Sequence, residues 1–127
     1  MARAVGIGGV FFKAQDPEGL ARWYERWLGM PVHSAFCGTV FASAEMPAGG
    51  YAVWSPFEAG TEYFAPSDLP FMINLVVDDL DGALAQVVEG GAAQVGEPSD
   101  DELGRFGWFL DPAGNKVELW QPPAGAR

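Results

Sequence analysis

The chain is 127 residues long and 49% apolar, with 17 acidic residues against 7 Lys and Arg and a formal net charge of −10. That length suits one compact domain over residues 1–127, and the negative charge opposes binding to polyphosphate or to an anionic bilayer, so no nucleic-acid and no membrane partner is expected. The single cysteine, Cys37, rules out an intrachain disulfide or a cysteine-built metal centre, and no apolar window has the length of a signal peptide or a membrane span; a soluble cytoplasmic protein is expected.

Residues 5–14 are apolar and β-rich, predicting a strand, and run into Asp16, Pro17 and Glu18, which suit an N-cap, a first helical position and a first-turn acid. Leu20, Trp23, Tyr24, Trp27 and Leu28 recur at helical spacing, and Gly29 stands where a glycine ends a helix. Short β-like runs follow at 39–44 and 51–54, separated by a turn at 47–50. Residues 55–70, rich in proline and without a sustained period, read as a link.

The pattern then restarts. Residues 71–77 predict a strand, Asp79 a cap, and Leu80, Leu84, Val87 and Val88 a helical stripe that stops at Gly90 and Gly91. Residues 93–95, 106–110 and 116–120 supply further strands, with an acidic, solvated loop over 97–102 and a turn at 111–115. The helix start at Asp16 is matched in residue character 63 positions later at Asp79, and the turn beginning at Pro47 is matched 65 positions later at Pro112. Two matches in the same order support a duplication, with module one at about 5–57 and module two at about 71–123. The predicted fold is α+β: two tandem βαβββ modules.

A doubled βαβββ unit that closes on Asp111, Pro112, Gly114, Asn115, Glu118, Leu119 and Trp120 resembles the glyoxalase, bleomycin-resistance and extradiol-dioxygenase superfamily, also called vicinal oxygen chelate. Trp23-Tyr24 and Leu28-Gly29 after the first strand strengthen the likeness. The resemblance implies that the mixed sheets of the modules form a cup, usually within a homodimer, and that many members hold a divalent metal through one residue on the first and one on the last strand of each module. Those four places fall here on Gly9, Val53, Met72 and Glu118. Only Glu118 suits a hard or borderline cation, and such ions want about three or four protein ligands, so no metal site and no cofactor is expected unless the assignment of the four places is mistaken. His33 lies outside these places and reads as a turn or strand residue, and Cys37 as a small packing residue.

Alternation along the strands puts Gly9, Phe11 and Lys13 on one face, Met72, Asn74 and Val76 on the equivalent one, and Lys116, Glu118 and Trp120 on the same side of the closing strand. The resemblance places Phe106, Trp108 and Leu110 inward as well. The expected ligand-binding set is Phe11, Lys13, Asn74, Phe106, Trp108, Glu118 and Trp120, an aromatic lining with a few polar groups that suits a small organic ligand. Two bland readings stand beside it: the aromatics as plain core, and Lys13 with Glu118 as a structural ion pair. Arg105 is expected to pair with Asp101 or to close over an anion.

Two functions follow. One is a metal-independent, glyoxalase-like or bleomycin-resistance-like homodimer that binds a flat, partly aromatic and cationic compound such as a glycopeptide antibiotic. The alternative is a lyase, isomerase or dioxygenase of the same superfamily, either through a misassigned metal site or with Glu118 as the catalytic general base. A cup filled by the protein's own aromatics would leave only a scaffold.

Overall fold

The computed structural model describes residues 1–5 and 7–123. Helix α1 (Pro17–Leu28) begins where the cap pattern places it: the Asp16 carboxylate accepts the Gly19 N–H at 3.0 Å, and Pro17 occupies the first turn. It ends on Gly29, whose left-handed backbone (φ 64°) lets its N–H reach the Tyr24 carbonyl, a geometry that a Cβ would strain. A single 3₁₀ turn (Ser43–Glu45) follows.

Strand β1 (Ile73–Val76) leads to helix α2 (Leu80–Glu89), capped by Asp79, and then to β2 (Ala93–Gln94), β3 (Ser99–Asp101), β4 (Gly104–Leu110) and β5 (Lys116–Gln121). The sheet order is β1-β5-β4-β2, with β3 also on β4; β1 runs parallel to β5 and the other pairs are antiparallel. This is the expected βαβββ order with one short strand added, β3, so that four strands follow the helix, inside an α+β fold. Both helices lie on one face, where Leu80, Val87, Phe109, Val117 and Leu119 are almost wholly buried together with Leu20, Tyr24 and Leu84. Each such side chain contributes about 1.5 to 3 kcal/mol of burial. The two helices approach closely at Gly90, where a Cβ would strike the Trp27 ring, and Trp23 Nε1 donates to the Gly90 carbonyl at 2.9 Å.

The turn between β4 and β5 is built on a buried carboxylate. Asp111 Oδ1 accepts the N–H groups of Ala113 and Asn115, both at 2.9 Å, while Oδ2 accepts Asn115 Nδ2 at 2.8 Å and the Tyr24 hydroxyl at 2.9 Å. Burial, then the Asp111 charge, pushes the Tyr24 hydroxyl far above its ordinary range, so it stays a donor. The motif that closes the chain is thus a structural clamp between the hairpin and α1.

The first module departs from expectation. Among the described residues no strand precedes Ile73, so the runs at 5–14, 39–44 and 51–54 lack ladder partners. Ala14 packs against the core and Phe12 meets Phe71, but many of their apolar side chains face solvent, Phe11 at 95% and Trp54 at 80% exposure. β-Branched and aromatic side chains fit a pleated surface but do not supply the neighbouring edge that makes a strand. In the acidic stretch, residues 99–101 are a strand rather than a loop, with their side chains exposed. Arg105 pairs with Asp81 at 3.0 and 3.1 Å instead of with Asp101, whose carboxylate accepts the Leu103 N–H. Among the described residues no helix is long and apolar enough to cross a membrane.

Candidate functional site

The period of two along β5 sends Val117 and Leu119 under the helices and Lys116, Glu118 and Trp120 to the opposite face. Register then sets the neighbours of Glu118: Asn74 on β1 and Trp108 on β4 lie directly across from it. Asn74 Nδ2 donates to Glu118 Oε1 at 2.7 Å, and Trp108 Nε1 donates to Oε2 at 2.8 Å. A third donor comes from outside the sheet, the Tyr63 hydroxyl, at 2.5 Å from Oε2. Glu118 is 9% exposed, and three of the roughly four acceptor sites of its carboxylate are filled.

Lys116 shares this face and is also buried. Its Nζ donates to the Tyr63 carbonyl at 2.6 Å and stands 5.2 Å from the Tyr63 ring centroid and 5.9 Å from that of Trp108. Burial lowers the pKa of the ammonium, against the opposing pull of the Glu118 charge. The Tyr63 hydroxyl is pushed up to about 12, first by burial and then by its hydrogen bond to Glu118 and the carboxylate charge, so near neutral pH it is held protonated and donating.

Around this polar centre the face is aromatic. Phe106 stacks on Trp120 with centroids 6.2 Å apart, Tyr51 meets Trp120 edge-on at 4.9 Å, and Phe57 stacks on Tyr63 at 5.8 Å. The Trp120 indole N–H donates to the Leu103 carbonyl at 2.7 Å. Of the residues expected to line the cup, Asn74, Phe106, Trp108, Glu118 and Trp120 come together on this face, whereas Phe11 and Lys13 are exposed and lie apart from it. Lys13 makes no ion pair with Glu118, because the unpaired segment that carries it does not join the sheet; Lys116 is the cation at this place. Sequence reasoning missed Tyr63. It sits in the proline-rich stretch read as a link, and its one signal was the local density of aromatics, Phe57, Tyr63 and Phe64.

An open cleft of about 430 Å³ is lined by Ile7, Gly9, Val10, Val53, Trp54, Ser55, Pro56 and Met72. Gly9, Val53 and Met72 are three of the four places where the resemblance puts metal ligands. Gly9 and Val53 offer no side-chain donor and Met72 only a soft thioether, and among the described residues no three His, Cys, Asp or Glu side chains form a cluster that could hold a metal ion. This donor set does not fit a divalent cation. His33 stacks on Phe36 at 4.8 Å in an exposed turn, and Cys37 is free and exposed.

Comparison with known proteins bears on the whole arrangement. The glyoxalase-like domain family matches residues 9–120. No curated protein matches the chain. Among solved structures, a member of the glyoxalase/bleomycin resistance protein/dioxygenase superfamily from Sphaerobacter thermophilus is 34% identical over 39% of this chain and 40% of that one, with a TM-score of 0.35. A hypothetical protein from S. aureus is 25% identical over 44% of this chain and 45% of that one, with a TM-score of 0.39. The chain spans less than half the length of either. A virulence protein from Salmonella typhimurium is 16% identical over 82% of this chain and 86% of that one, with a TM-score of 0.46. The family match begins at Gly9, takes in both helices and the five strands to within one residue of the end of β5, and ends at Trp120 two residues beyond Glu118; the chain therefore belongs to the glyoxalase-like domain family.

Proposed function

We propose that this protein is a metal-independent binder of a small, flat, partly aromatic molecule that carries a hydrogen-bond donor, and that it works as a cytoplasmic homodimer. The observation that carries the reading is the Glu118 carboxylate, fixed as an acceptor within a wall formed by Trp108, Tyr63, Phe106 and Trp120. An aromatic pocket with a few oriented polar groups is how small organic ligands are held. The net charge of −10 would add long-range attraction for a ligand bearing positive charge, as expected for a drug-binding member of the superfamily.

Binding is the favoured reading because the Glu118 carboxylate is held by oriented donors within an aromatic wall, the make-up of a site that positions a ligand. The poor donor set at the four family places supports metal independence. A second copy of the chain is the natural cover for the exposed apolar side chains of the first module, and β1 offers it an edge, since β5 is its one ladder partner among the described strands. The exposed, unpaired thiol of Cys37 suits a reducing compartment.

Equilibrium titration against a panel of aromatic and cationic compounds, followed by intrinsic tryptophan fluorescence, tests the reading. Saturable binding that weakens in Trp108→Ala is expected; a folded protein that binds none of them would sink it. Metal analysis of protein purified without a histidine tag, beside Glu118→Ala, should find no stoichiometric divalent ion in either. A bound ion lost in the variant would restore a metal-dependent activity.

A further inference from the structure

Of the three donors on Glu118, two are built into the sheet and one is not. Asn74 and Trp108 arrive on the strands that flank β5, so their positions come with the ladder. Tyr63 arrives on a segment with no strand or helix, whose backbone is held by local turns such as Ala65 N–H to the Glu62 carbonyl and by the Lys116 ammonium on the Tyr63 carbonyl, and the residue is 40% exposed. Its side chain nevertheless makes the contacts a bound molecule would make. The ring stands edge-on to the Trp108 indole, 6.4 Å between centroids at 88°, the Lys116 ammonium lies 5.2 Å from its centroid, and the hydroxyl donates to Glu118 Oε2.

The geometry points to Tyr63 as the protein's own stand-in for its ligand: the site at Glu118 takes a hydroxylated aromatic ring, a neutral phenol, which binds by displacing the Tyr63 side chain. This inference rests on the small-molecule reading above and narrows it. A carboxylate ligand would meet Glu118 as a like charge. A cationic head would meet Lys116, so the attraction of the acidic surface for cations acts at longer range than this contact. A plain hydrocarbon ring would fill the aromatic wall but leave Oε2 short of a donor in a partly dry place, which is how a site built around a hydroxyl rejects its deoxy analogue. The upward shift of the Tyr63 hydroxyl shows that the surroundings favour the protonated phenol over the phenolate. A displaceable side chain at 40% exposure leaves the ligand a path from solvent.

The test uses p-cresol, the side chain of tyrosine as a free molecule, with toluene as its deoxy control. Tyr63→Ala should bind p-cresol at least about tenfold more tightly than the unsubstituted protein does, because the competing side chain is gone, and at least about tenfold more tightly than it binds toluene. Perturbation of the Trp108 indole N–H resonance reports the contact, and the p-cresol affinity should fall as pH rises past about 10, where the free phenol ionises. Equal affinities for p-cresol and toluene in Tyr63→Ala, or equal p-cresol affinities with and without the substitution, overturn the inference. Should Tyr63→Ala fold poorly, Tyr63→Phe keeps the ring and removes only the hydroxyl; a several-fold gain in p-cresol affinity is expected, and no gain overturns the inference. Saturable binding of other aromatics by the unsubstituted protein, with no p-cresol preference in the variant, removes this inference and leaves the wider reading standing, whereas no saturable binding by any of the proteins removes both.

Discussion

In residues 73–121 the apolar side chains Phe109, Val117 and Leu119 lie sealed beneath two helices, whereas in residues 5–57 chemically similar side chains, Phe11, Val53 and Trp54, face solvent. What separates the two regions is pairing. β4 and β5 are joined by the short Asp111 turn, so their ladder closes a small loop, and β1 lies parallel to β5 at the end of a crossover that begins with α2. The runs of the first module are spaced by proline- and glycine-rich stretches and find no edge within the described chain. Apolar patterning shows which surface must be covered, but what covers it depends on which edge lies within reach. In the second module the chain does so itself, and in the first we assign the task to a second copy.

The comparison can be broken most forcefully in the second region. Phe109→Ala should destabilise the protein by about 3 to 5 kcal/mol, because it empties a fully buried position between sheet and helices, and a urea melt would read it. Asp111→Ala should cost about 1 to 3 kcal/mol by leaving the Tyr24 hydroxyl and the turn amides without their acceptor; Tyr24→Phe in that background should recover part of the loss. An unchanged melting midpoint in Asp111→Ala would show that the turn holds α1 by packing alone.

A subtler effect is expected in alkali. Tyr63 ionises at about 12 in the folded protein against about 10 when unfolded, so the stability it contributes is complete below pH 10 and is lost as pH rises through 12. Tyr63→Phe should therefore flatten the stability profile between pH 10 and 12, while Tyr24, far higher still, keeps its own dependence. The smallest effect belongs to the first region: Phe11→Ala should change monomer stability by no more than about 0.5 kcal/mol, since the residue is 95% exposed. Sedimentation velocity sharpens the contrast, because Trp54→Asp should shift a dimer toward monomer while leaving the dilute melt unchanged. A Trp54→Asp protein that stays fully dimeric would place the interface elsewhere.

Much of the second module was legible because its signals are local. Asp16 with Pro17 and Asp79 with Gly82 place helix starts within a turn of the chain, and alternation along 116–120 separates Val117 and Leu119 from Glu118 and Trp120 without reference to any partner. Asn74 and Trp108 could be put on the same face as Glu118 by the same rule. Tyr63 could not, since a residue in an irregular segment has no period to betray its direction. Lys116 was visible as an inward side chain, yet the lysine weighed as the partner of Glu118 was Lys13, whose strand finds no edge.

The two helices with their caps, the strands of the second module other than β3, the family and the scarcity of metal ligands at its four places can be read along the chain alone, because each depends on residue type and on spacing over a few turns of chain. That β1 lies beside β5, that Tyr63 closes over Glu118, and that the apolar runs of the first module stay open emerge only in the folded arrangement. Those outcomes depend on which distant edges and side chains meet, and a strand's pattern specifies the face it will bury without specifying the neighbour that buries it.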